Sequence, residues 1–347
     1  MSTFRQPGIG AAFGAALLFG AGAPLAKLLL HGTDPWMLAG LLYLGSGIGL
    51  SAYRLVISAP RVELPPRDAG WFVGAVVSGG VIGPVLLMFG LTAMPASGAS
   101  LLLNAEGAFT ALLAWFLFKE NFDRRIALGM FSVLAGATVL SWPRDIHFAG
   151  LLPALFILGA CLAWGIDNNL TRRVSLTDAT WIASVKGLAA GTVNIALAFS
   201  LGSRFPSIPN LLGALSLGLF AYGVSLTLFV VSLRHLGSAR TGAYFSVAPF
   251  FGALVAVGLG ESVTPTLVCA GVLMAIGVWL HLSENHVHEH RHMPMEHEHE
   301  HMHDEHHLHD HDRDVPAKTQ HSHVHRHPAI VHRHVHFPDA HHRHEHS

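Results

Sequence analysis

The residues with the plainest capacity for chemistry are histidines, and they are unevenly placed. Of 27 His, 23 stand in the 62 residues from His286 to Ser347. They run as HVHEHRHMPMEHEHEHMHDEHHLHDHD, then HSHVHRH, HRHVH and HHRHEH. Neutral imidazole is a borderline ligand for Ni²⁺, Co²⁺, Cu²⁺ and Zn²⁺. HxH spacing sets alternate side chains on one face of an extended chain, and a flexible chain folds three or four of them round one ion. The candidate ligands are His286, His288, His290, His292, His297, His299, His301, His303, His306, His307, His309, His311, His321, His323, His325 and His327. Interspersed Asp and Glu add hard oxygen donors, and the absence of Cys from this stretch removes thiolate selection for Cu(I). A terminal tag would be shorter and uniform. A polycation that charges as pH falls towards 6 is the other reading, and metal binding is the better one.

A second set of polar residues lies inside apolar runs, where ionisable groups are costly and default to function. Glu106 stands mid-run, with Asn104 close by and Thr110 one turn further along the same face. Its carboxylate suits a bound cation or a coupling proton; the alternative is a protonated Glu bonded to a neighbouring helix. Asp167, in GIDNNLTRR, and Lys186 are expected at matching depth, so an ion pair would offset both desolvation penalties; a gating role is the alternative. Asn168 and Asn169 offer neutral oxygens or a helix cap, and Asn194 is a weaker candidate. Glu120 and Glu261 fall at helix ends and are expected to cap or to pair with Arg. His31, His147 and His235 read as solvated. Met88, Met94, Met274, Cys161 and Cys269 read as packing.

These residues need elements to hold them. The chain has 347 residues, 51% hydrophobic and 12% charged, well short of the roughly 25% charge of globular proteins. Ten apolar runs approach the ~20 residues of a spanning helix. They lie near 9–30, 36–57, 71–93, 95–118, 124–142, 149–171, 178–200, 210–233, 238–260 and 264–282. Too few cations remain outside the loops for a nucleic-acid face. Two cysteines inside apolar runs exclude a disulfide-stapled secreted domain. With an even number of spans both termini share a side. Eleven Lys and Arg flank that side against Lys27, Arg144 and Arg204 opposite, which places both termini in the cytoplasm.

The two halves resemble each other. Ala114–Phe122 corresponds to Val255–Val263 at an offset of 141 residues, setting Glu120 over Glu261. Five spans per copy require the second to be inverted, the architecture of secondary transporters. The fold class expected is an all-α integral membrane protein of ten transmembrane helices in two inverted five-helix repeats (1–145 and 146–285), with a disordered His-rich tail at 286–347.

Small residues followed by ALLAWFLFKENF, and a second copy ending APFFGALVAVGLGESVTPTLVCAGVLMAIGVWL, resemble the EamA-type drug/metabolite transporters over about residues 8–282. The resemblance implies an exporter driven by an ion gradient and no enzyme. The absence of a GxxxxGK[ST] loop agrees with that. The leading expectation is efflux of a divalent transition metal across a bacterial inner membrane by proton antiport. Nickel or cobalt is favoured because His-tailed members of such families resemble nickel and cobalt resistance proteins. Glu106 would be the cation or proton site, with Asp167, Lys186, Asn104 and Asn168 as partners. The alternative is a metabolite or drug exporter whose tail only stores or senses metal. No tightly bound cofactor is expected, only Ni²⁺, Co²⁺, Zn²⁺ or Cu²⁺ as ligand or substrate. Expected partners are the lipid bilayer and metal ions, not nucleic acid, with a homodimer left open.

Overall fold

The structure is a computed structural model that describes residues 7–62, 64–118, 124–141, 151–171, 174, 177–229, 231–232, 244–282, 287–292, 295–301, 321–327 and 330–335. Among the described residues, each apolar run holds helix. In the first half the elements are α1 (Pro7–Leu29), α2 (Pro35–Val56), α3 (Pro66–Ala75), α4 (Gly83–Ala93), α5 (Ala96–Leu102), α6 (Ala105–Phe118) and α7 (Arg124–Ser141). In the second half they are α8 (Leu152–Thr171), α9 (Ala179–Ser200), α10 (Ile208–Leu217), α11 (225–229), α12 (Ala248–Gly258) and α13 (Pro265–Leu282). Among the described residues six helical stretches are long and apolar enough to cross a membrane: Gly8–Leu29, Pro35–Val56, Pro66–Ala93, Leu152–Thr171, Ala179–Ser200 and Ile208–Phe229. The other runs hold shorter apolar helices, and turns interrupt some of them. At Leu103-Asn104, for instance, α5 ends and α6 begins.

Helix starts follow local chemistry. Pro35 occupies the first turn of α2, where its missing N–H costs nothing. The Asp34 carboxylate accepts from the N–H groups of Trp36 and Met37. Asp178 caps α9 in the same way, through Thr180 and Trp181.

The halves interleave. The second segment of one half, α2, packs along the second segment of the other, α9, and the fifth segments α7 and α13 likewise face each other. The first segment α1 meets α12, and its counterpart α8 meets α6. Glycine makes the α2–α9 seam close. A β-carbon on Gly187 would stand 2.6 Å from the Gly47 nitrogen, and one on Gly191 2.6 Å from the Leu44 nitrogen. With lipid offering no hydrophobic drive between helices, such backbone approach is what associates them.

Arg54, in the last turn of α2, locks one end of this seam. Its guanidinium lies 2.9 Å from the Asp178 carboxylate and donates to Thr180 Oγ1 at 2.7 Å. Burial pushes the Asp178 carboxyl up, but hydrogen bonds from Thr180, the Trp181 N–H and Arg54 outweigh it and hold it below its ordinary value. A carboxyl lowered in the folded state adds stability above its unfolded value near 3.8, and loses it as pH falls through the folded one. Thermal unfolding of the purified protein between pH 7 and pH 3 is therefore expected to show a low-pH loss that is smaller in Asp178→Asn.

The third segment of each half contains a π turn. Val76–Ile82 separates α3 from α4, and Gly218–Val224 separates α10 from α11. A π turn frees carbonyls from the α ladder and is common at functional sites. Glycine at 79, 80, 218 and 223 lets neighbouring helices lie against it.

The tail forms its own unit, Asn285–Pro338. Two antiparallel pairs form, β1 (Val287–His292) with β4 (Ile330–Val335), and β2 (Met295–His301) with β3 (His321–His327). The physical reason is the HxH alternation itself, whose period of two is the period of a strand.

Candidate functional site

The polar residues of the helical body converge where α6 and α8 pack beside the first π turn. Glu106 stands in the first turn of α6, just past the Leu103-Asn104 break. Asn168, on α8, donates its amide to Glu106 Oε1 at 2.9 Å and to Thr110 Oγ1 at 3.2 Å. Thr110 itself donates to the Glu106 carbonyl at 2.8 Å, which fixes the hydroxyl for Asn168. Asn169, next on α8, donates to the carbonyls of Thr110 and Gly165. Both Asn side chains thus join α8 to α6, and neither caps a helix. Asn104 sits elsewhere in function: its buried amide donates to Leu101 O at 3.0 Å and closes the end of α5.

Immediately before Asn168 on α8, the buried Asp167 carboxylate is paired with the Lys186 ammonium of α9, and its other oxygen accepts from Thr171 at 2.9 Å. The expected ion pair is present. It neutralises Asp167, whereas the Glu106 carboxylate has only neutral donors among the described residues. The two neighbouring carboxyl groups therefore differ in kind: one is an internal salt, and the other has no bonded cation among the described residues.

The π turn supplies the floor of this region, and sequence reading missed it. Gly79 O accepts from Tyr43 OH at 2.6 Å and from Trp164 Nε1 at 2.9 Å, while Gly80 O accepts from Asn194 Nδ2 at 3.1 Å. Carbonyls released from the helix ladder are thus satisfied by α2, α8 and α9 together. Asn194, fully buried, is a structural donor here. The signal available in the sequence was Ser78-Gly79-Gly80 in the middle of an apolar run. Gly79 is required: a β-carbon there would fall on the Asp167 carboxylate. Gly79→Ala is expected to cost about 1–3 kcal/mol by overpacking, seen as a lower unfolding temperature in detergent.

Aromatic rings from both halves border the same region. Tyr43 and Tyr222 have centroids 5.5 Å apart, Phe19 lies 6.0 Å from Tyr222 and 5.4 Å from Phe245, and Phe229 lies 4.8 Å from Phe245.

Among the described residues no group of three or more His, Cys, Asp and Glu stands close enough to hold a metal ion. In the tail, strand register sets His288 opposite His334 and His290 opposite His332, and His297, His299 and His301 opposite His325, His323 and His321. His286, His303, His306, His307, His309 and His311 lie outside the described residues, as do Glu120, His147 and His235.

The chain matches the EamA-like transporter family twice, over residues 6–142 and again over 151–283. It belongs to that family. Two copies end to end agree with the interleaved halves, and they make the body a membrane transporter. An uncharacterized transporter of Methanothermobacter thermautotrophicus (strain Delta H) is 27% identical over 286 residues, covering 77% of this chain and 83% of that protein. The uncharacterized inner membrane transporter YedA of Escherichia coli (strain K12) is 24% identical, covering 80% and 94%. A solved crystal structure shares the fold at a TM-score of 0.61 and 18% identity, covering 80% of this chain and 96% of that one.

Proposed function

We propose that this EamA-like transporter is a proton-coupled exporter of a divalent transition metal, nickel or cobalt in first place, working across a bacterial inner membrane. Ten spans in two inverted repeats, with both termini cytoplasmic, are part of this reading. The observation that carries the coupling step is the contrast between the buried Asp167 carboxylate and the half-buried Glu106. Asp167 is held by Lys186, while Glu106 is bonded only to Asn168 among the described residues. A carboxyl group bonded only to an amide takes up a proton or a cation without first breaking a salt bridge, which suits exchange of one for the other. The composition of the tail supports metal as cargo. The strand register adds to that support, since alternation gives β2 and β3 His pairs directly opposite one another. A cytoplasmic tail of this kind gathers metal beside the entrance by raising its local concentration.

A second reading is favoured by the rings of Phe19, Tyr43, Tyr222 and Phe245 beside the carboxylate site. Aromatic faces suit an organic cargo, and the tail would then only store or sense metal.

The deciding experiment loads exporter-deficient cells with Ni²⁺, Co²⁺ or Zn²⁺ and compares the intact chain, a chain ending at Asn285 and Glu106→Gln. Lower cell nickel or cobalt with the intact chain, lost in Glu106→Gln, supports metal export through the body. Unchanged metal in all three overturns it, and organic solutes become the cargo to screen.

A further inference from the structure

At the end of the body opposite the Arg54–Asp178 clamp, a different contact joins the halves. Helix α5 follows Pro95, which has no side-chain oxygen to cap it, so the first N–H groups of α5 need an acceptor from elsewhere. Glu261, from the loop after α12 in the other half, supplies it. Its Oε1 accepts from the Ala96 N–H at 2.7 Å and its Oε2 from the Ser97 N–H at 2.8 Å. The backbone aims this carboxylate. Gly260 sits at φ +103°, its N–H donates to Val257 O, and the Glu261 N–H reaches back to Ala256 O. That is a Schellman ending, which turns the chain sharply off α12. Lys27, at the end of α1, lies 3.8 Å from Glu261 and donates to Met94 O at the end of α4. Four elements from both halves are therefore tied through one carboxylate and one ammonium.

We propose that Glu261 is the latch of a gate: it holds α5 of the first half to the α12–α13 loop of the second, and must release when the transporter opens at that end. Under the orientation proposed above this is the outer end. The contrast with α2 and α9 points the same way. That seam is backbone against backbone at Gly47 and Gly187 and at Leu44 and Gly191, so it cannot part by exchanging side-chain partners. It serves as the axis. The Glu261 contact is made by two side chains, Glu261 and Lys27, each about a quarter exposed, on backbone groups of Ala96, Ser97 and Met94, and water can replace each bond. Rocking of one half against the other needs a close seam and a few exchangeable bonds; among the described residues α2–α9 is such a seam and the Glu261 contact such a set of bonds.

The inference rests on the transporter reading and not on the choice of cargo, so it fails separately from the metal-accumulation assay. Its test uses spin labels on the full chain in lipid nanodiscs. One pair, Ala93→Cys with Val263→Cys, spans the latched end, and another, Ala69→Cys with Thr177→Cys, spans the opposite end. Both are placed in a background with Cys161 and Cys269 replaced by Ser. Glu261→Gln is expected to move the balance towards a longer Ala93–Val263 distance by about tenfold, while the Ala69–Thr177 distance shortens. Lys27→Met should act in the same direction but less, since the two helix-cap bonds remain. An unchanged Ala93–Val263 distance in Glu261→Gln overturns the latch. So does lengthening at both ends with a fallen unfolding temperature, because that marks a purely structural cap.

Discussion

Glu106→Gln is expected to keep its fold and lose coupled export. The Gln side chain retains an oxygen where Asn168 donates at 2.9 Å, so α6 and α8 stay joined. What disappears is the charge, and with it the ability to exchange a proton for a cation. A hydrogen bond or ion contact to a charged group is worth roughly 1.5–3 kcal/mol, so flux at low cargo concentration should fall on the order of tenfold to a hundredfold. Glu106→Asp keeps the charge on a shorter arm and should retain part of the flux. Reconstituted vesicles with an imposed pH gradient provide the measurement, with cargo movement followed alongside proton movement. If Glu106→Gln still moves cargo down the gradient at the original rate, coupling does not run through this carboxylate.

Removing one member of the Asp167–Lys186 pair gives the largest expected loss of stability. Lys186→Met leaves a carboxylate buried against the Gly79 backbone with Thr171 as its remaining donor among the described residues. Breaking a buried pair from one side costs about 3–5 kcal/mol, whereas replacing both charges is often close to neutral. The double change Asp167→Asn with Lys186→Met should therefore recover most of the unfolding temperature that Lys186→Met loses. Recovery of stability without recovery of transport would assign the pair a part in the transport cycle. Recovery of both would make it a structural element, and the coupling burden would then fall on Glu106 alone.

The two expectations separate because the residues, although neighbours, sit in different electrostatic surroundings. Lys186 comes from α9, which is anchored along α2 by glycine contacts and by Arg54 on Asp178. Its ammonium is therefore delivered to Asp167 by a rigid element. Asn168 projects from α8 towards α6, and its amide leaves the Glu106 charge in place.

Much of this was legible in the chain. Apolar run length marked the membrane helices, since lipid accepts backbone only when its hydrogen bonds close within the segment. The repeat at Glu120 and Glu261 marked two copies of one unit. Isolated ionisable residues in apolar runs marked Glu106, Asp167 and Lys186, because desolvation makes such residues rare without a purpose. The pairing of Asp167 with Lys186 followed from matching depth alone. Other features needed three dimensions. No spacing rule shows that Glu261 caps a helix 165 residues earlier in the chain, or that its cation is Lys27 and not an arginine. Asn104 lies two residues from Glu106 yet serves the end of α5, because the turn between the helices directs its amide to Leu101. The π turns escaped periodicity, since one extra residue in a helix shifts its faces without changing its composition. Their carbonyls are satisfied by Tyr43, Trp164 and Asn194, which are distant in sequence. Composition and periodicity record what each segment must bury. Which partner meets it there is decided by the packing of the two halves, and that exists only in the folded molecule.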